Sequence, residues 1–268
     1  MYALIGAVMI GVSLGLLGSG GSILTVPILV YLVRHPEKQA VAEAFAIVGA
    51  ISLFGGVRAA ITGKVDGRSV ALWALPGIIG AAAGVELSHL ISGTVQILIL
   101  GFVMLVAAVS MLRSKTPRED EARRPAPALV IASGLGIGLV TGLVGIGGGF
   151  LIVPALVLLT GTPMRRAIGT SLCVIAINSA TGLAKFFLSD DGRAIGVHWE
   201  TIAVFSALGI GGSYLGAMIG TKLNQRALKR VFAVFLIGLG IFVIWKQTQK
   251  LSGGPASSET PAAIPAAP

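Results

Sequence analysis

The length of its uncharged runs restricts this chain more than any other feature. Residues 2–33 carry no charged side chain, and neither do 69–85, 94–112, 128–161 and 231–245. Several of these runs reach the roughly 18 apolar residues that cross the hydrocarbon core of a bilayer. Together they take up close to half of the 268 residues, and the largely apolar stretches between them leave no room for a sizeable water-soluble domain. Charged residues make up 12% of the chain, about half the ~25% usual in soluble domains. The chain reads as an all-α polytopic membrane protein. Its first run lacks a basic start and matches an internal segment, so it is expected to stay in the mature protein rather than be removed as a signal.

That match is one part of a duplication. The stretch "GLLGSGGSILTVPIL", 15–29, aligns with "GLVGIGGGFLIVPAL", 142–156, with nine identities in fifteen positions. Among them are Gly18/Gly145, Gly20/Gly147, Gly21/Gly148 and Pro27/Pro154. The same offset of 127 pairs Pro36 with Pro163, Ala40 with Ala167 and Arg58 with Lys185. After a five-residue insertion the offset is 132, and Gly77, Gly80 and Gly84 fall on Gly209, Gly212 and Gly216. Compositional bias scatters Gly and Leu matches but does not keep this order, so the chain is a tandem repeat.

The organisation follows. Residues 1–113 form a first transmembrane repeat, 114–127 a polar linker, 128–247 a second repeat and 248–268 a Pro/Ala/Ser-rich tail expected to be disordered. Each repeat holds a glycine-broken segment and three further spans, at about 40–62, 69–87 and 94–113, then 168–189, 201–223 and 231–246. As one straight helix, residues 2–33 would measure ~48 Å against a ~30 Å hydrocarbon core. Two short helices turning at the glycines fit better.

Lys and Arg distribution separates a broken segment that returns from one that crosses. If the chain turns back at each glycine cluster, the alternating loops carry five cations on one side and thirteen on the other; if it crosses, the split is ten and eight. The positive-inside rule favours the lopsided arrangement. It predicts a cytoplasmic linker, both termini outside an inner membrane, and halves inverted relative to each other. The net charge of +9 then belongs to topology and anionic lipid rather than to nucleic acid.

In hydrocarbon, non-helical backbone persists only where protein or a cavity surrounds it. Helices beginning near Ile23 and Phe150 would aim bare N–H groups and positive dipole ends at the glycine turns. Two such ends from inverted halves suit an anion, as in secondary transporters. The candidate binding residues are Gly18, Ser19, Gly20, Gly21 and Ser22 in the first break, and Gly145, Gly147, Gly148 and Gly149 in the second. Neither cluster fits a nucleotide motif, since no Lys-Ser/Thr and no βαβ unit follows. Gly77, Gly80, Gly84 and their mates read as close-packing glycines.

These paired motifs, with the following "RAIGTSLCVIAINSATG", resemble the TauE/SafE-type sulfite exporter family of bacterial inner-membrane transporters. The resemblance covers about residues 5–246 and implies movement of small sulfur-containing anions or organic acids. The first half departs from the pattern, with Glu43 and Ala44 where the second has Thr170 and Ser171.

Thr170, Ser171 and Asn178 interrupt an apolar span and join the candidate binding set, although hydroxyls there can also satisfy their own helix and Asn can bridge helices. Glu43, an intramembrane carboxylate, is the candidate coupling residue; its plainer role is a helix-start acid. Arg58 and Lys185 read first as snorkelling cations and second as attractors at each mouth. Arg165 and Arg166 are accounted for by topology. Trp73, Trp199 and Trp245 are expected in the interfacial belts. His35, His89 and His198 are far apart and show no metal-ligand spacing. The lone Cys173 excludes an intrachain disulfide. No metal, cofactor or enzymatic constellation is expected. The reading is a carrier of a small anion working by alternating access, with an anion-selective channel as the alternative and pairing into a homodimer as a further expectation.

Overall fold

The computed structural model describes residues 2–88, 90–91, 93–114, 127–144, 149–188 and 196–252. Every regular element among them is helical. The first half contains α1 (Tyr2–Leu17), α2 (Gly20–Ile28) prolonged by a π-helical turn (Leu29–Val33), α3 (Glu37–Ile61), α4 (Gly67–Ser88) and α5 (Gly93–Arg113). The second contains α6 (Pro127–Val144), α7 (Gly149–Leu159), α8 (Met164–Leu188), α9 (Trp199–Lys222) and α10 (Gln225–Ser252). Among the described residues four helices, α3 and α8 to α10, are long and apolar enough to cross a membrane. Their outer faces expose residues such as Leu53, Leu215, Val234 and Phe242, surface that suits lipid contact. The Gly145, Gly147 and Gly148 positions and most of the linker and tail lie outside the described residues. Helix α10 runs on through Ser252, past the 247/248 boundary expected from the sequence.

The first broken segment is a hairpin. Gly18 has φ +77°, and beyond it α2 doubles back along α1: Gly6 faces Ile28, and a Cβ at Gly21 would lie 2.3 Å from the Ile10 carbonyl oxygen. Helix α2 begins at Gly20 with Ser19 at its N-cap, three residues before the expected Ile23. Glycine is a poor helix former, but here only glycine lets the two backbones meet, so packing overrides propensity. Helix α7 likewise begins at Gly149, one residue before Phe150.

The halves pack through helix pairs that exchange when the repeats are exchanged: α1 with α9, α4 with α6, α3 with α8, and α5 with α10. Glycine makes the first two possible. A Cβ at Gly11 would sit 2.0 Å from the Gly209 carbonyl oxygen, and one at Gly138 would sit 2.2 Å from that of Gly77. At the offsets of 127 and 132 these are the same contact made twice. Gly212 against Val8 (2.5 Å) and Gly80 against Leu135 (2.2 Å) repeat it one turn away. These two pairs run parallel, as the register of Gly11 with Gly209 and Gly15 with Ser213 requires. The other two run antiparallel: Gly49 meets Ser179 while Gly56 meets Cys173, and Gly101 meets Ile244 while Gly240 meets Leu105.

Connections repeat as well. His35 N–H donates to Leu29 O at 3.1 Å, and its equivalent Thr162 N–H donates to Leu156 O at 3.1 Å. Trp73 departs from the interfacial position expected for it: it is 2% exposed. Its helix face is the one pressed onto α6, where the Trp73 backbone lies against Gly134. Trp199 and Trp245 are exposed.

Candidate functional site

A cavity of about 100 Å³ opens between α1, α3, α8, α9 and the start of α10. Gly15, Gly55, Gly169 and Ser213 give it a floor without large side chains, and Arg58, Lys64 and Arg165 line it. Among the described residues, no carboxylate lines it. The Arg58 guanidinium lies 4.2 Å from the centre of the Tyr214 ring, which holds the cation in place by a cation–π contact. Arg165 donates from Nη2 to the carbonyls of Thr221 and Leu223, both at 2.9 Å, capping the C-terminal end of α9. Its Nε is buried without a protein partner. Three partly buried cations and several hydroxyls around a small space form an electrostatic environment that favours an anion over a cation or a neutral molecule.

The first glycine turn lies beside this cavity rather than in its lining. A Cβ at Gly18 would fall 2.8 Å from both Ile168 Cα and Ser171 Oγ, and Ile168 is a lining residue. Ser19, Gly20, Gly21 and Ser22 are buried in packing; Gly20 faces the Phe235 ring, and the Ser22 hydroxyl donates to Ser19 O at 2.8 Å. Ser171 donates to Ile168 O at 2.8 Å with Gly18 O at 3.2 Å, so this hydroxyl ties α8 to the turn. Thr170 Oγ1 accepts from the Asp66 N–H at 3.2 Å. Asn178 lies elsewhere. It lines a void of about 20 Å³ with Trp73, and Asn178 Oδ1 and Trp73 Nε1 are both buried without a partner. An acceptor and a donor in a space of that size suit one bridging water, not an anion.

At the opposite end of α3 a second cluster forms. Glu43 is fully buried, and its carboxylate accepts from Gln39 Nε2 at 2.8 Å and from the His198 N–H at 3.0 Å. His35 Nδ1 lies 2.6 Å from the other oxygen. Gln39 Nε2 also reaches His198 Nδ1, and the two imidazoles lie side by side at 4.8 Å between centroids, tilted by 31°. The expectation that these histidines stand apart is therefore corrected: 155 residues separate Glu43 from His198, yet folding joins them. His89 lies outside the described residues. The cluster is hydrogen-bonded rather than metal-shaped, since two donors on one tetrahedral ion stand about 3.3 Å apart and the His35–Glu43 separation is 2.6 Å. His198 is the N-cap of α9, so Glu43 also receives that helix's positive end.

The model of the family described as "Sulfite exporter TauE/SafE" matches residues 3–243. This chain belongs to that family. A "Probable membrane transporter protein" of Xylella fastidiosa is 33% identical over 250 residues, covering 91% of this chain and 94% of the relative. The "Probable membrane transporter protein YunE" of Bacillus subtilis is 26% identical, covering 86% and 92%. No solved structure matches the chain.

For this TauE/SafE protein the sequence understated the cations and the imidazoles. Arg165, explained by topology, lines the cavity, as does Arg58, read first as a snorkelling side chain. Lys64, Gln39, His35 and His198 were not singled out as site residues. One signal was available: Asp66 and His198 stand at the 132 offset, and their N–H groups reach Thr170 and Glu43, which stand at the 127 offset.

Proposed function

We propose that this membrane transporter is a secondary carrier of a small anion, of the sulfur-oxyanion, sulfonate or small organic acid class. The observation that carries the reading is the cavity with Arg58, Lys64 and Arg165 and, among the described residues, no acidic residue in its lining. A membrane-buried carrier of a cation would be expected to line its cavity with carboxylates or carbonyls. The anion's charge is balanced by the three cations, and its oxygens take hydrogen bonds from them and from Ser213. The helix end at the Gly18 turn and the start of α7 at Gly149 add backbone N–H groups and dipole as the anion moves inward. Thr170 and Ser171 hold the loop and turn that frame this path.

The two halves are inverted relative to each other and move alternately. The antiparallel packing of equivalent helices, α3 on α8 and α5 on α10, supports inversion. The grouping of loops supports the hairpin topology. Lys64, Arg165 and Leu228, from the segments counted as cation-rich, share one cavity. His35 and His198, from cation-poor loops, share the other cluster. On the positive-inside rule the cavity faces the cytoplasm of an inner-membrane protein with both termini outside. An anion leaving a cell with a negative interior is already driven outward; uptake needs a co-transported cation, for which Glu43 is the candidate site.

Counterflow in proteoliposomes tests the reading. Sulfite, sulfate, thiosulfate, sulfoacetate, taurine, lactate and chloride are each offered with and without a proton gradient. Saturable exchange of one anion class is expected. Non-saturable leak would replace the carrier with a channel, and exchange confined to neutral or cationic solutes would discard the anion.

A further inference from the structure

We propose that Arg58, held in position by the ring of Tyr214, is the two-pronged donor of the cavity and makes the site select anions with two oxygens on one atom over halides. The proposal rests on the anion-cavity reading above and narrows it.

Three cations line the cavity, but they do not offer the same donors. Lys64 ends in an ammonium, a point charge on a flexible stem, which meets a halide and an oxyanion through the same kind of single contact. Arg165 has its donors committed. A guanidinium can present a parallel pair of N–H groups along two edges, Nε with Nη2 and Nη1 with Nη2, and both edges draw on Nη2. The two N–H groups of Arg165 Nη2 donate to the Thr221 and Leu223 carbonyls, at 2.9 Å each. Neither edge of Arg165 is therefore free for a two-pronged grip. It contributes charge and single hydrogen bonds.

Arg58 differs. Its guanidinium carbon lies 4.2 Å from the centre of the Tyr214 ring, and among the described residues its side-chain N–H groups donate to no protein acceptor. A cation–π contact acts on the charge of the whole group, so it locates the guanidinium while leaving N–H edges for a ligand. Both partners line the cavity. They come from opposite halves, Arg58 on α3 and Tyr214 on α9, so this arrangement requires the two repeats to be packed together.

The donors of a guanidinium lie in one plane. A sulfite, sulfonate or carboxylate group carries two oxygens on one atom and takes two parallel N–H groups at once. A halide is a single sphere, on which two N–H groups must converge and lose linearity. A fork already fixed in place therefore favours the oxyanion, whereas a freely turning one gives up much of the gain to the entropy of ordering it. The Tyr214 ring does the fixing.

Titration calorimetry on the full chain in nanodiscs tests the pair, with sulfite, sulfoacetate, lactate, chloride and bromide as probes. At least one oxyanion should bind about tenfold more tightly than either halide. Tyr214→Leu should lower that preference on the order of tenfold, and Tyr214→Phe, which keeps the ring, should restore it. Arg58→Lys should remove the preference, and Tyr214→Leu added to Arg58→Lys should lower it no further. Equal weakening of oxyanions and halides in Tyr214→Leu would reduce the ring to packing and overturn the proposal. A Tyr214→Phe protein as impaired as Tyr214→Leu would overturn it too, by assigning the effect to the hydroxyl, and so would a Tyr214→Leu effect that persists in the Arg58→Lys background. Halides bound as tightly as oxyanions, with both weakened by Lys64→Gln, would retire the selectivity and leave the cavity reading standing. No heat with any probe, or oxyanion affinities unmoved by Lys64→Gln and Arg58→Lys alike, would retire both.

Discussion

Arg34 and Gly161 hold the same left-handed backbone conformation, φ 66° and 63°, at equivalent positions of the two halves. Each follows a proline-containing helix and lets the next N–H turn back onto a carbonyl six residues earlier, at 3.1 Å in both cases. An L-residue with a side chain is strained there and glycine is not. Arg34→Gly should therefore stabilise the protein by roughly 0.5–1 kcal/mol, part of the relief being offset by glycine's greater freedom when unfolded. Thermal unfolding in detergent, followed by retention of the monodisperse peak, should show a rise in midpoint.

The close helix pairs predict a sharp contrast among glycines. Gly11→Val places a branched side chain where a Cβ already meets the Gly209 carbonyl at 2.0 Å, and it should abolish recovery of folded protein. Gly211→Ala and Gly238→Ala meet nothing within 4 Å. Each should be neutral or stabilising by about 0.5–1 kcal/mol through helix propensity. Equal damage from all three would remove the packing explanation.

At the turn, Gly18→Ala faces two obstacles, φ +77° and a Cβ 2.8 Å from Ile168 Cα. Loss of transport and a lowered unfolding midpoint should appear together. Ser171→Ala loses one hydroxyl bond and should cost about 1 kcal/mol without blocking assembly. A Gly18→Ala protein as stable as the parent would show that the hairpin tolerates a side chain.

Among the cavity cations, Lys64→Gln should raise the half-saturating anion concentration by on the order of tenfold, the loss expected for one charge-assisted hydrogen bond. Arg165→Lys should cost more, because Lys cannot hold both the Thr221 and Leu223 carbonyls and face the cavity at once. Concentration series of anion uptake in proteoliposomes give both values. An unchanged half-saturation in Lys64→Gln would place the anion elsewhere.

The helices were legible because the bilayer demands long apolar segments, and the duplication was legible because its glycines and prolines are packing and backbone requirements. Expected spans at 94–113 and 201–223 differ from α5 and α9 by only one or two residues at an end. The site was less legible. Arg58, Lys64 and Arg165 lie in three separate segments, each with a sufficient topological explanation, and only tertiary packing reveals that they share a cavity. His35 and His198 are ordinary loop histidines until a buried carboxylate draws them together. Trp73 is buried because its face of α4 meets α6, which hydropathy does not report.

One equivalence carries a last consequence. The Asp66 N–H reaches Thr170 and the His198 N–H reaches Glu43, one bond drawn twice with a hydroxyl at one end and a carboxylate at the other. A machine made of two equal halves has two resting arrangements of equal energy, and nothing tells it which end to leave ajar. The carboxylate lifts that degeneracy. The two ends of the α3–α8 pair therefore differ in chemistry at equivalent points, a neutral hydroxyl at one and a carboxylate beside two imidazoles at the other.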